Sequence, residues 1–353
     1  MENNYWILDD WLIFKPKFNE ELDKYYDIIN KYKKIMFSDY NEPLIAIETN
    51  NKINTCNNNF IKSKFNQEID LSNNINLTHL TFGVDFNKKI DLTNNINLIH
   101  LTFGNYFNKE IDLSNNINLT HLTFEWDFNK EIDLSNNINL TYLTFGRRFN
   151  QEINLLNNIN LTHLFLGEYF DNNINLSNNI NLKYLIFGHL FNKEIDLSNN
   201  INLTHLTFGG CFNKEINLSN NINLTHLTFG GYSKYFAFGN DFNKEINIPL
   251  NIKSLTMNYC NNQYIIDNLH NNIEELKIYG SELNLDNLPN SIKQLYINNY
   301  EKELNNLPNS IEYLELINYN FKIKKIPKNL KIVKCDKEYE YINDFKDYNV
   351  IYH

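Results

Sequence analysis

The sequence predicts a repeat solenoid: a stack of 21-residue coils with one short parallel strand per coil, turns and irregular backbone on the other sides, and a helical N-terminal cap. Three observations predict it. First, eight successive copies of FNKEIDLSNNINLTHLTFGxx begin at Phe65, Phe86, Phe107, Phe128, Phe149, Phe170, Phe191 and Phe212. A fixed period of this size gives one small coil per copy, too small to bury its apolar side alone and therefore stacked on its neighbours. Second, residues 77–82 alternate, with Leu80 and Phe82 on one face and His79 and Thr81 on the other, the pattern of a half-buried strand. Third, Gly83 and the segments rich in Ser, Asn and Asp supply turn chemistry between strands.

Taken in chain order, residues 1–48 are an N-terminal cap. Phe18, Leu22, Tyr25, Ile29, Tyr32 and Met36 recur at the spacing of one helical face, which predicts a helix over 18–36 with Asn19 as its N-cap. Residues 43–48 read as a strand, and 49–64 as an irregular linker or degenerate coil. The regular array fills 65–232. In it Phe65, Ile69, Leu71, Ile75 and Leu77 join Leu80 and Phe82 as seven expected core positions per coil, each contributing about 1.5 to 3 kcal/mol on burial. Residues 233–241 are an insertion. A degenerate array follows over 242–333, anchored at Leu255, Leu276, Leu295, Leu314 and Val333, with Pro289, Pro308 and Pro327 opening turns. Residues 334–353 are the C-terminal cap.

One residue in five is Asn, while Ala is confined to positions 46 and 237 and Arg to 147 and 148. The asparagines occupy fixed slots between periodic apolar residues, which predicts order rather than a low-complexity segment. A net charge of −10 with no basic stripe argues against nucleic acid as a partner. No stretch approaches the apolar length of a membrane span, and the first residues lack a basic signal-peptide start, so an intracellular protein with no membrane partner is expected. Cys56, Cys211, Cys260 and Cys335 have neither disulfide nor metal spacing. The sequon Asn-Leu-Thr recurs from Asn76 to Asn223, and glycans on a packed coil would prevent stacking, a second argument against the secretory route.

The string Leu-x-Phe-Gly-x-x-Phe-Asn-x-x-Ile, with Leu-Pro-Asn-Ser-Ile-x-x-Leu at 288–295 and 307–314, resembles the FNIP repeat. That family is of the leucine-rich-repeat class and abundant in social amoebae and giant viruses of amoebae. The resemblance covers roughly 65–333. It implies a leucine-rich-repeat-like solenoid and a protein partner, a host protein if the chain is viral, with the host cytoplasm as its place. Many relatives open with an F-box, so the resemblance also implies an alternative role as substrate adaptor with ubiquitin-ligase subunits as partners. Residues 1–48 carry no Leu-Pro opening of that kind.

Stacking turns each slot into a ladder. The outward strand slot reads His79, His100, His121, Tyr142, His163, Tyr184, His205 and His226. Tyr keeps ring stacking and loses imidazole ligation, so the row is read as stacked side chains rather than a metal array. The slot of Asp70, Asp91, Asp112, Asp133 and Asp196 holds Asn at 154, 175 and 217, which points to turn N–H groups rather than acid–base work. The pair Asn73-Asn74 and its repeats are expected to satisfy backbone at a bend. No nucleophile–base set, phosphate loop or metal motif is present, so no catalytic residue, metal or cofactor is expected and the chain is read as no enzyme. Departures from the consensus are the better guide to function. The two slots after Gly vary, and Trp126, Arg147, Arg148 and Tyr169 cluster there, residue types common at binding hot spots. A poor third reading is a hydrolytic enzyme on the repeat scaffold.

Overall fold

The computed structural model describes residues 4–43, 60–230 and 242–353. The expected strand over 43–48, the linker up to residue 59, Cys56, the 231–232 slot and the 233–241 insertion lie almost wholly outside the described residues. The chain divides into two compact units, Met1–Leu182 and Lys183–His353.

The first unit opens with an antiparallel hairpin of β1 (Tyr5–Leu8) and β2 (Trp11–Phe14), turned by Asp9 in the left-handed region at φ 52°. Among the described residues every strand pairing from β2 onward is parallel, beside one isolated antiparallel bridge between Tyr40 and Phe60. β2 pairs with β3 (Lys34–Phe37), β3 with β4 (His79–Thr81), and then β5 (His100–Phe103), β6 (His121–Phe124), β7 (Tyr142–Thr144) and β8 (His163–Phe165) follow in turn. Register is slot on slot: Leu80 faces Leu101, Leu101 faces Leu122, Leu122 faces Leu143. The core holds Leu and Phe columns, with Phe82 and Phe86 rings 3.8 Å apart and the same contact at 3.8 Å between Phe124 and Phe128. Offset stacking of this kind adds to area burial.

The second unit repeats the design with β9 (Tyr184–Ile186), β10 (His205–Phe208) and β11 (His226–Phe229), then longer strands β12 (Ser254–Asn258), β13 (Glu275–Tyr279), β14 (Gln294–Asn298) and β15 (Tyr313–Ile317), and finally β16 (Ile332–Cys335) and β17 (Asn349–Tyr352). Leu255, Leu276, Leu295, Leu314 and Val333 pair in one register column, as the degenerate motifs predict.

Several expectations are corrected. The region 18–36 is not one helix: a 3-10 turn at Asp23–Tyr25 leads into a four-residue α1 at Tyr26–Ile29, and Lys34–Phe37 is β3. Phe18, Leu22, Tyr25, Ile29 and Met36 are buried as their spacing implies. The helix nevertheless stops, because Ile35 and Met36 pair with Leu80 and Thr81 and so complete the ladder for the first regular coil. Tertiary pairing outweighs local periodicity here. Ile13 and Met36, on the outward face, are covered by Trp6, Leu8, Trp11 and Tyr40, so the cap seals both faces. Asn19 caps no helix; its Oδ1 accepts from the Asn66 N–H at 2.9 Å. The C-terminal segment is not only a cap, since β17 continues the parallel ladder on β16.

The Ile75 column is the main error in the expected core. Ile75 and its equivalents from Ile96 to Ile222 are 45–65% exposed, because the Asn-Asn-Ile-Asn turn points this side chain outward while Asn74, Leu71 and Leu77 point in. Of the sequon asparagines, Asn76, Asn118, Asn139, Asn160 and Asn223 are likewise exposed and Asn202 is half-buried; Asn118 donates its amide to the Ile96 carbonyl at 2.9 Å.

Candidate interaction edge

The slots after Gly form an edge because each coil's backbone there bonds to the next. Tyr106 N–H donates to Val84 O at 3.0 Å, Asp127 to Asn105 at 2.8 Å, Arg148 to Trp126 at 2.8 Å and Tyr169 to Arg147 at 2.9 Å. The glycines are required by this approach rather than by their torsions: a Cβ on Gly146 would lie 1.9 Å from the Glu125 carbonyl oxygen, and one on Gly167 would lie 1.7 Å from that of Gly146. Asp39 starts the edge, its Oδ1 accepting from Ser63 N–H at 2.6 Å and Val84 N–H at 3.0 Å, with burial pushing its carboxyl up to about 6.

On this frame the structure brings the four singled-out residues together. Arg147 Cζ lies 6.0 Å from the Trp126 ring and 5.6 Å from the Tyr169 ring, and its Nε donates to Glu168 Oε2 at 3.0 Å. The guanidinium is thus held between two aromatic faces and a carboxylate. Arg148 pairs with Asp127 at 3.3 Å but stays 63% exposed, and Trp126 is 40% exposed. The sequence did not bring out Lys62, which reaches the same edge from outside the regular repeats: it pairs with Asp85 at 2.6 Å and sits 4.4 Å over the Tyr106 ring. Nor did it assign a state to Glu125, the one described non-glycine at the Gly slot in the first unit's regular coils. Burial, then repulsion from Asp39, pushes its carboxyl up to about 6.

The ladders read as turn chemistry are so built. Asp70 Oδ1 accepts from Ser72 N–H at 2.9 Å, and Asn154 does the same for Leu156 at 3.1 Å. Asp and Asn serve alike because only a side-chain oxygen is used. His79 stacks on His100 at 4.4 Å and His100 on His121 at 4.1 Å, with Nδ1 of His79 bonded to Thr78 Oγ1 at 2.9 Å. Burial holds the imidazoles of His79 and His100 down at about 4. Among the described residues no group of three or more His, Cys, Asp or Glu could hold a metal ion. A depression of about 1090 Å³ is lined by Glu131, Asp133, Gln151, Glu152, Asn172 and other Ile, Leu and Asn side chains, with no hydroxyl, thiol or imidazole among its lining.

Fold and edge together define a repeat protein of the leucine-rich-repeat-like kind. Residues 279–319 match the family model described as FNIP Repeat, and the chain is an FNIP-type, leucine-rich-repeat-like repeat protein. Among solved structures it is similar to CroV588, described as a novel circular LRR protein, at 29% identity and a TM-score of 0.56, covering 96% of this chain and 61% of that one. The chain therefore spans about three fifths of that protein's length. The fold is also shared with the functional domain of InlJ from Listeria monocytogenes (19% identity, TM-score 0.54, 81% of this chain and 64% of that). An internalin, inlF, from the same organism aligns at 16% identity and a TM-score of 0.54, over 97% of this chain and 86% of that. A comparison with curated proteins finds no match. No helix among the described residues is long and apolar enough to cross a membrane.

Proposed function

We propose that the chain is a non-catalytic protein-interaction scaffold and that its first unit engages a protein partner through the edge of Trp126, Arg147, Arg148 and Tyr169. The observation that carries this reading is the Arg147 sandwich: two rings and Glu168 fix a cation beside an exposed Trp at the point where the repeat departs from its consensus. Rigid aromatic and Arg groups lose little freedom on binding, which is why such groups dominate interface energies. The exposed Arg148 offers the adjacent charge, so an acidic or carboxylate-bearing partner surface fits best.

A ubiquitin-ligase adaptor is not favoured. Its attachment would need a helical module, and residues 5–8, 11–14 and 34–37 are instead strands. An enzyme is not favoured either, since the repeat supplies the same residues at every coil and the depression offers no hydroxyl, thiol or imidazole beside its carboxylates. Whether the partner is a host protein rests on the resemblance alone. Affinity capture with the wild type, Trp126→Ala and Arg148→Glu tests the reading. A specific protein captured by the wild type and lost with both variants, at unchanged melting temperature, supports it. Equal capture by all three contradicts it.

A further inference from the structure

The repeat keeps an isoleucine at a place where it gains little from folding. In the first unit Ile75, Ile96, Ile117, Ile138, Ile159 and Ile180 are each 50–57% exposed. They form a column at the end of the strands opposite the Trp126 edge, since Ile117 precedes β6 by four residues and Trp126 follows it by two. Half-exposed isoleucines singly need no explanation, but six in a row make an apolar stripe on the order of 500 Å², at the upper end of what monomeric proteins expose. The stripe is also held rigid. Beside it Asn97, Asn118, Asn139 and Asn160 each donate to the isoleucine carbonyl of the preceding coil at 2.9 Å, which locks the spacing from coil to coil.

Two properties of the column select its occupant. The first is charge. The six-residue segments 72–77, 93–98, 114–119, 135–140, 156–161 and 177–182 contain no charged residue, in a chain whose net charge is −10. Two copies repel one another over most of their surface, but not along this stripe. The second is period. Like residues recur along the column at the inter-strand spacing of about 4.8 Å. A helix laid along it presents successive turns about every 5.4 Å, and an extended strand presents same-face residues about every 6.7 Å. Both drift out of step within the six coils. A second copy of this chain repeats at the matching distance by construction.

We propose that the isoleucine column is a self-association surface, on which a second copy seats its own column antiparallel about a two-fold axis, each isoleucine lying between two of its partner's. Such an isologous contact lets every residue of the stripe be used twice. With the flanking asparagine columns the contact approaches the ~800 Å² per partner of a standard-size interface. Because the copies carry like charge, added salt screens their repulsion and strengthens the dimer. The proposal is independent of the Trp126 edge.

Sedimentation equilibrium of the full chain over a wide concentration series tests it. The wild type is expected to double in mass, at lower concentration as salt is raised. The variant carrying Ile96→Lys, Ile117→Lys and Ile138→Lys is expected to stay monomeric, with circular dichroism and melting showing that it folds; Ile-to-Thr at the same three positions gives a milder version, expected to weaken the dimer at least tenfold. Trp126→Ala is expected to dimerise as the wild type does. A wild type that stays monomeric throughout, a folded Lys variant that still dimerises, or loss of the dimer with Trp126→Ala overturns the proposal. So does a monomer that floats with phosphatidylcholine vesicles in a manner lost with the Lys variant, since the column would then serve a lipid surface.

Discussion

In the regular coils of the first unit, coils are joined by neutral amides. Asn116 is fully buried and donates one amide hydrogen to Leu92 O at 3.0 Å and the other to Asn95 O at 2.9 Å, and Asn95 one coil earlier and Asn137 and Asn158 one and two coils later do the same. A second amide row runs through Phe-Asn, each Oδ1 accepting the backbone N–H of the next coil from Asn66 to Asp171. The later coils of the second unit replace these amides. Ser291 and Ser310 hydroxyls bond to Ile273 O and Ile292 O at 2.7 Å. Buried tyrosines stand in for Phe, with Tyr300 donating to Leu283 O at 2.7 Å. Exposed ladders of opposite charge, Lys253–Glu274–Lys293 at 3.1 Å and Lys331–Glu312 at 2.6 Å, run along the outside. Strand ends differ too. The regular coils use Gly for close approach, whereas Tyr259, Gly280, Asn299 and Asn318 take φ of 50–56°. One backbone plan is thus held by buried amides in one region and by hydroxyls, tyrosines and surface charge in the other.

Substitutions can break this contrast. Phe124→Ala, in the packed column, is expected to cost about 3 to 5 kcal/mol by chemical denaturation. Asn116→Ala removes two amide bonds from Leu92 O and Asn95 O, which keep the backbone N–H groups of Asn95 and Leu98, and is expected to cost about 1 to 3 kcal/mol, whereas Ser310→Ala in the later coils, with one bond, costs about 1 kcal/mol; equal losses would mean the amide row is not what distinguishes the regions. Glu125→Gln is expected to stabilise. The buried carboxyl titrates near 6 when folded against an ordinary value of 4.5, so its ionised form opposes folding above that range. The gain, on the order of 1 to 2 kcal/mol at pH 7 to 8, disappears as pH falls to about 4. Lys293→Ala is expected to change stability by under about 1 kcal/mol and less in high salt, because the pair is half exposed.

The histidine ladder sharpens the comparison with pH. His79 and His100 titrate near 4 when folded, against an ordinary 6.5, with burial the first cause, then Lys34 for His79 and neighbouring imidazoles for His100. A depressed folded value means that their contribution to stability is complete above about 6.5 and is lost as pH falls through about 4. Thermal melting is expected to drop across that window, and His100→Tyr, which keeps the stacking slot as Tyr142 does, is expected to reduce the drop. An unchanged pH profile in that variant contradicts this account.

Much of this was legible in residues. Period and alternation gave the coil, the strand and its buried face, and Asn at 154, 175 and 217 in an Asp slot identified an Asx turn rather than a carboxylate site. What was illegible depended on the third dimension. The spacing from Phe18 to Met36 reads as a helix because burial alone was visible, and the strand partner of Ile35, Leu80, lies forty-five residues away. Ile75 reads as core because it is apolar, yet a five-residue bend through Asn73, Asn74 and Asn76 has room to bury only one side chain, and the Asn74 amide takes it to bond two carbonyls of the cap. The Trp126 cluster was visible as a departure from consensus, but Lys62 was not, since it enters the edge from an irregular segment.

The account's central claim is that constant slots build the stack and departures from them carry recognition. The most direct measurement pairs melting with partner capture for a chain in which Trp126→Val and Arg148→Tyr restore residue types found in the same slots of other coils, Val84 and Tyr106. The account predicts a melting temperature close to that of the wild type and loss of the captured protein. Retained capture at that same melting temperature would contradict it.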